Sequence, residues 1–284
     1  MNSNLRPTRP TLSLSQRKRR RDLWGYAMIA ASLLMLGVLF AAAAYDKPED
    51  KLDEASLCPR NEAPSRQIVI VIDQTDPFDP DGGENRKRGV AKIVTDTCLN
   101  TQKGDKISLF SFKGNETPRF PPLLQICNPG KWSDYNFLLS NKSKIDKNSY
   151  IFSERITESV ELIKKDNFSP ESPILEALAD IAARVEFRSG SDNKFIIVSD
   201  MVQNSEKLKF YDFAKRKARD VSDNELQRAT RSIVGDHDID LLNFEFQVYQ
   251  LFHERNAAAS DSIKKIWERY LTRHVKHMDP WLLL

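Results

Sequence analysis

Asp73, Thr75, Asp76, Ser172 and Asp200 are the residues whose types and placement could do chemistry in this chain. Three carboxylates and two hydroxyls make a hard-oxygen set, which suits Mg²⁺ or Mn²⁺. The carboxylates of Asp73, Asp76 and Asp200 around such an ion could also activate a water for hydrolysis. Each residue has a plainer use as well. Asp at a strand end closes a turn, and Ser172 before Pro173 reads as a helix N-cap with proline at the first helical position. The set therefore admits two readings, an ion site or a buried, metal-free cluster.

The elements that must position these residues are two strands and a helix. Ile68 to Ile72 is a run of five β-branched apolar residues ending at Asp73, and Phe195-Ile-Ile-Val198 ends at Ser199 and Asp200. Strands apolar on both faces belong at the centre of a parallel sheet covered by helices on each side. Adjacency of the two would place Asp73 opposite Asp200, and ligands collect at such carboxyl ends. Ser172-Pro173 opens a helix whose buried stripe is Ile174, Leu175, Leu178, Ile181, Ala182 and Val185.

Around this centre the periodicity predicts a helix over about 85–99, a strand over 105–112 and a short edge strand over 123–126. A polar, irregular loop follows over 130–148, then a helix over 150–165. One or two charged helices are expected over 209–234, and a strand carries Phe244, Phe246 and Val248. Ser260 is placed to cap a last helix with Ile263, Ile266, Trp267 and Tyr270 facing inward. Strands alternating with helices call for an α/β fold, a mainly parallel central sheet with helices on both faces. No internal repeat is present.

Upstream of the domain, residues 23–45 carry no charge, a length that can cross a bilayer about 30 Å thick. Trp24, Tyr26 and Tyr45 stand near its ends, and Arg17, Lys18, Arg19, Arg20 and Arg21 precede it. The positive-inside rule then keeps residues 1–22 cytoplasmic as a basic tail and places residues 46–66, a proline-bearing stalk, and the domain at 67–284 outside. The alternative is a cleaved signal peptide, with Ala41 to Ala44 as the small residues, but the apolar run exceeds a usual signal core. Residues 1–22 hold seven of the 43 basic residues and one of the 40 acidic ones, leaving 36 basic against 39 acidic in the remainder. A mildly acidic domain excludes a nucleic-acid-binding face of the usual kind.

Cys58, Cys98 and Cys127 follow the span, in a compartment that permits a disulfide. Cys58 and Cys127 fall in irregular segments and are the preferred pair, with Cys98 on the apolar side of a helix left reduced, although spacing alone admits other pairings. His274 and His277 share a helix face at i and i+3, without an acidic or cysteine neighbour at ligand spacing, and read as surface histidines. Gly-x-Ser-x-Gly, His-Glu-x-x-His, Walker and dinucleotide motifs are all missing. Asn115, Asn141 and Asn167 begin glycosylation sequons. The apolar end Trp281–Leu284 either docks on the domain or serves a partner.

Ile-Val-Ile-Val-Ile-Asp at 68–73 and Phe-Ile-Ile-Val-Ser-Asp at 195–200 make the chain resemble the von Willebrand factor A domain over about 67–275. In that family the first strand runs into Asp-x-Ser-x-Ser, a later loop gives a Thr, and a further strand ends in Ser-Asp. Together they hold a divalent ion, which an acidic residue of a partner completes. The resemblance implies that Asp73 and Thr75 take the first two positions, Ser172 the Thr position and Asp200 the last. Pro77 replaces the second Ser, and Asp76 stands beside it. Cys-Asn-Pro-Gly at 127–130 and Ser-Pro-Ile-x-Glu-Ala-Leu at 172–178 further resemble a bacterial membrane-anchored subgroup. The resemblance implies a binding module in the inner membrane with its domain in the periplasm and a protein as its partner. The competing readings are a metal-dependent hydrolase and a metal-free structural subunit of an envelope complex.

Overall fold

The computed structural model describes residues 14–45, 52–60, 62–75, 84–112, 114, 120–136, 140–163, 171–184, 193–235, 241–251 and 257–284. α1 (Leu14–Tyr45) is a 32-residue helix. Its stretch Asp22–Ala41 has a mean hydropathy of 2.0 and no part of it is buried by the rest of the chain. Among the described residues it is the one helix long and apolar enough to cross a membrane.

Then follow β1 (Gln67–Asp73), α2 (Glu84–Leu99), β2 (Lys106–Phe112), β3 (Pro122–Cys127), α3 (Lys142–Ile163), α4 (Ile174–Ala182) and β4 (Asn193–Ser199). The two-residue strands β5 (Tyr211–Asp212) and β6 (Lys217–Ala218) pair as a small hairpin. α5 (Asp223–Val234), β7 (Leu241–Gln250), α6 (Ala257–Leu271), β8 (Val275–Met278) and β9 (Leu282–Leu283) complete the chain.

The sheet runs β3-β2-β1-β4-β7-β8, with β9 also beside β7, and only β3 is antiparallel to its neighbour. β1 and β4 are adjacent, as their doubly apolar runs require: each buries both faces only in the middle of the sheet. Alternate residues serve two separate cores. Val69, Val71, Phe195 and Ile197 pack under α4, α5 and α6 with Leu178, Leu226, Ile263 and Trp267. Ile68, Ile70, Ile72, Ile196 and Val198 pack against α2 and α3 with Val94, Phe152 and Ile156.

This is a doubly wound arrangement with its switch point between β1 and β4. From β1 the chain winds through β2 to β3 on one side, and from β4 through β7 to β8 on the other. The crevice at such a switch point, outside the carboxyl ends, is where these sheets bind ligands.

The segment before β1 is fastened to the opposite, amino-terminal edge. Cys58 and Cys127 form a disulfide, Leu57 is buried in the α2/α3 core, and Cys127 N donates to Ser56 O at 2.8 Å. Gly104 takes φ +86°, a conformation that favours glycine, and an added Cβ there would also come within 2.7 Å of Ser65 Oγ on the chain entering β1. The Cys127–Gly130 stretch belongs to the same fastening. Asn128 donates to Thr101 O at 2.8 Å and accepts from Gly130 N at 2.8 Å, which holds the β3 end over the α2 end. Cys98 is free and buried, and burial pushes its thiol up to about 12.

Several expectations are corrected. The stretch expected to be irregular until Tyr150 becomes helical at Lys142, because Ile145 and Asn148 are already buried and Asn141 Oδ1 accepts from Lys144 N. The stretch 209–234 holds the β5–β6 hairpin before α5, with Asp212 Oδ1 accepting from Lys215 N to close the turn. Ser260 lies inside α6, buried, and does not cap it. His274 and His277 do not share a helix, since α6 ends at Leu271 and His277 is in β8. Of the C-terminal residues, Trp281 is docked and Leu282 to Leu284 are exposed. Val185 lies outside the described residues.

Candidate functional site at the strand carboxyl ends

Asp73 is the last residue of β1 and is 4 % exposed. Its Oδ1 accepts from Thr75 N at 2.8 Å and from Thr75 Oγ1 at 2.5 Å. Its Oδ2 accepts from Ser172 Oγ at 2.9 Å and Ser199 Oγ at 2.7 Å. Burial raises the carboxyl from an ordinary 3.8 to about 6, and the Thr75, Ser199 and Ser172 hydrogen bonds oppose that rise. Each hydroxyl has one proton and spends it on Asp73, so the cluster is a carboxylate clamped by three donors.

Each donor comes from a different part of the chain. Thr75 is two residues on from Asp73, the short reach of an Asx turn. Ser172 is fully buried beside α4, where Ser172 N donates to Asn204 O at 2.8 Å and Ser172 O accepts from Asn204 N at 2.9 Å. The N-cap expectation for Ser172 is thus corrected: α4 starts from Pro173 without a side-chain cap, and the Ser172 hydroxyl goes to Asp73. Gln203 replaces the cap, its Oε1 accepting from Leu175 N at 2.7 Å, while its Nε2 donates to Glu176 at 3.0 Å.

Ser199 was not in the expected set, yet it completes the clamp. Ile72 pairs with Val198, so the next residues, Asp73 and Ser199, stand side by side at the same level of parallel strands. Asp200 follows at the end of β4, 3 % exposed, with Oδ1 accepting from Val202 N at 2.9 Å. Met201 is next in the left-handed region (φ +62°), rare for a residue with a side chain. Three bonds hold it there: Met201 N donates to Ser199 Oγ at 2.7 Å, and Met201 O accepts from Trp267 Nε1 at 2.8 Å and Gln203 N at 3.1 Å.

The structure therefore brings Thr75 and Ser172 onto Asp73, while Asp76 lies outside the described residues. The expectation of Asp200 opposite Asp73 is corrected: Asp200 is on the neighbouring strand end, but the parallel register gives the place opposite Asp73 to Ser199. Among the described residues no group of three or more His, Cys, Asp or Glu is placed to hold a metal ion. The donor set at Asp73 is one carboxylate with three hydroxyls, hard oxygen throughout, and in kind it fits Mg²⁺ or Mn²⁺.

Fold and site together define a doubly wound α/β domain with a hydroxyl-clamped carboxylate at its switch point. No family model and no curated protein matches the sequence. Among solved structures, the PilB minor pilin of Streptococcus sanguinis is similar at 9 % identity and a TM-score of 0.43, over 79 % of this chain and 58 % of that one. An aerotolerance-related membrane protein of Bacteroides fragilis is similar at 11 % identity and a TM-score of 0.36, over 77 % of this chain and 90 % of that one. The chain spans little more than half the length of the pilin, and likenesses this distant leave its function to be argued from its own residues.

Proposed function

We propose that the chain is a single-pass membrane protein presenting a von Willebrand factor A-like binding module outside the cytoplasm, and that the edge around Asp73 meets a protein partner. The observation that carries this reading is the polarity of the domain. The Cys58–Cys127 disulfide and Leu57 fasten the incoming chain to the amino-terminal edge of the sheet, where Cys127 pairs with Lys106 at the start of β2. Asp73 ends β1 six residues beyond Gln67, which is level with Lys106, about 20 Å away at the usual rise per residue. A domain attached at one edge offers the other to whatever approaches.

The strand order and the Ser199-Asp200 ending support the family reading. Thr75, Ser172, Ser199 and Asp73 are the residues that would hold a divalent ion, with Asp200 and Asp76 as further oxygen donors. Such an ion would supply a positive charge for an acidic side chain of the partner. The protein residues themselves clamp Asp73 in one orientation and exclude water from its carboxylate.

A photo-crosslinking amino acid at Glu171, beside Ser172, in the full chain in its native membrane tests the proposal. A discrete adduct is expected there, absent from a Glu62 probe on the amino-terminal side, and lost in Asp73→Asn. Adducts identical at both positions and indifferent to Asp73 would contradict it.

A further inference from the structure

A groove of about 250 Å³ lies between α5 and α6, and none of the residues around Asp73 lines it. Leu226, Thr230 and Tyr270 lie at its base, all buried, and Arg231, Arg269 and Arg273 stand around it. The polar floor is already satisfied. Thr230 Oγ1 donates to Leu226 O at 2.9 Å, so its 3.1 Å contact with Tyr270 must take the tyrosine proton. What the groove still offers is cationic.

Asp223, in the first turn of α5, organises two of the arginines. Its Oδ1 pairs with Arg269 Nε at 2.8 Å and its Oδ2 with Arg273 at 2.9 Å, which draws two exposed guanidinium groups to one end of the groove. Arg231 is exposed on the last turn of α5 and has no carboxylate partner among the described residues. Three arginines against one aspartate leave the groove at +2, on a chain whose part beyond residue 22 has more acidic than basic residues.

We propose that this groove binds a phosphate group. A phosphate monoester at neutral pH carries a charge of about −1.5 to −2 with three acceptor oxygens, which matches the excess better than a single carboxylate does. Planar guanidinium forks suit its geometry. The position on the fold adds a second reason. His274 O accepts from Leu241 N at 3.1 Å, and Leu241 begins β7, so the C-terminal end of α6 lies at the amino-terminal edge of the sheet. The incoming chain is fastened to that same edge. The phosphate can accordingly come from an anionic lipid headgroup or from a free phosphate compound.

The test uses the full chain in two arms at one ionic strength. In micelles of an uncharged detergent, titration calorimetry with inorganic phosphate is compared for wild type, Arg231→Ala and Lys265→Ala, the last removing an exposed charge from α6 outside the groove. In bilayer discs of phosphatidylcholine with or without phosphatidic acid, whose headgroup is a phosphate monoester, hydrogen exchange is followed over residues 223–235 and 257–274. Phosphate affinity lowered about tenfold or more by Arg231→Ala alone supports a free phosphate ligand. Protection that requires phosphatidic acid and is lost only in Arg231→Ala supports the headgroup. Equal effects of the two substitutions, or no response in either arm, would overturn the proposal. The disc arm rests on the membrane-anchored reading. The micelle arm does not, so a failure of one is distinguishable from a failure of the other.

Discussion

Replacing both Cys58 and Cys127 by alanine is expected to destabilise the domain by about 4 kcal/mol. The bridge closes a loop with a sequence separation of 69, and the loss of closure entropy for a loop of that size is about 4 kcal/mol on the chain-entropy view. Packing follows the bridge, because Leu57 enters the α2/α3 core only while residue 58 is held at the β3 end. Removing the bridge frees the approach to the domain without touching Asp73. Thermal unfolding of the oxidised full chain and of the double variant checks this, with a fall in Tm of about 10 °C for a domain of this size. A fall of only a degree or two would show that the segment before β1 adds nothing to the fold.

Trp267→Ala is expected to cost a comparable amount, about 3–5 kcal/mol, for emptying a large, fully buried site. Trp267 has no exposed surface and packs at 5.1 Å between ring centroids against Phe210 and at 6.0 Å against Tyr270. Its second role is directional. The Nε1 hydrogen bond to Met201 O holds the turn immediately after Asp200, where the backbone takes a positive φ. Trp267→Phe keeps most of the packing and loses that bond, so about 1–2 kcal/mol is expected from it. Denaturant unfolding of the two variants separates packing from positioning. Equal costs would assign the whole effect to packing.

Much of this architecture was legible in the residues because two runs, Ile68–Ile72 and Phe195–Val198, have no polar face and can lie only at the sheet centre. Their adjacency places Asp73 and Asp200 at neighbouring strand ends. The preferred cysteine pairing was legible for a different reason, since Cys98 sits at helical spacing with Val90 and Val94 on a buried face. Ser172 misled because its local signal, serine before proline, is that of a helix cap, and a tertiary bond to Asp73 outcompeted it. Ser199 carries no signal of its own beside the more conspicuous Asp200, although the parallel register of β1 and β4 puts Ser199, one residue earlier, level with Asp73. The early start of α3 was hidden because Ile145 is the first apolar residue of its stripe, set in a run of Asn, Lys, Ser and Asp. The β5–β6 hairpin is too short to show any periodicity.

On the proposed reading, Asp73 carries charge at neutral pH and is held for a cation and a partner. A carboxyl raised from 3.8 to about 6 by burial favours its protonated form in the folded state. Its contribution to stability is therefore complete below about pH 4 and is lost as pH rises through about 6. The measurement is the unfolding free energy of the full chain in uncharged detergent from pH 4 to pH 8, for wild type and Asp73→Asn, with and without Mg²⁺ or Mn²⁺. Without ions, wild type should lose about 3 kcal/mol across that range relative to Asp73→Asn. Ions should restore stability to wild type above about pH 6 and leave Asp73→Asn unchanged, as a ligand of the folded state must. Parallel pH profiles for the two proteins, with neither responding to ions, would contradict the account.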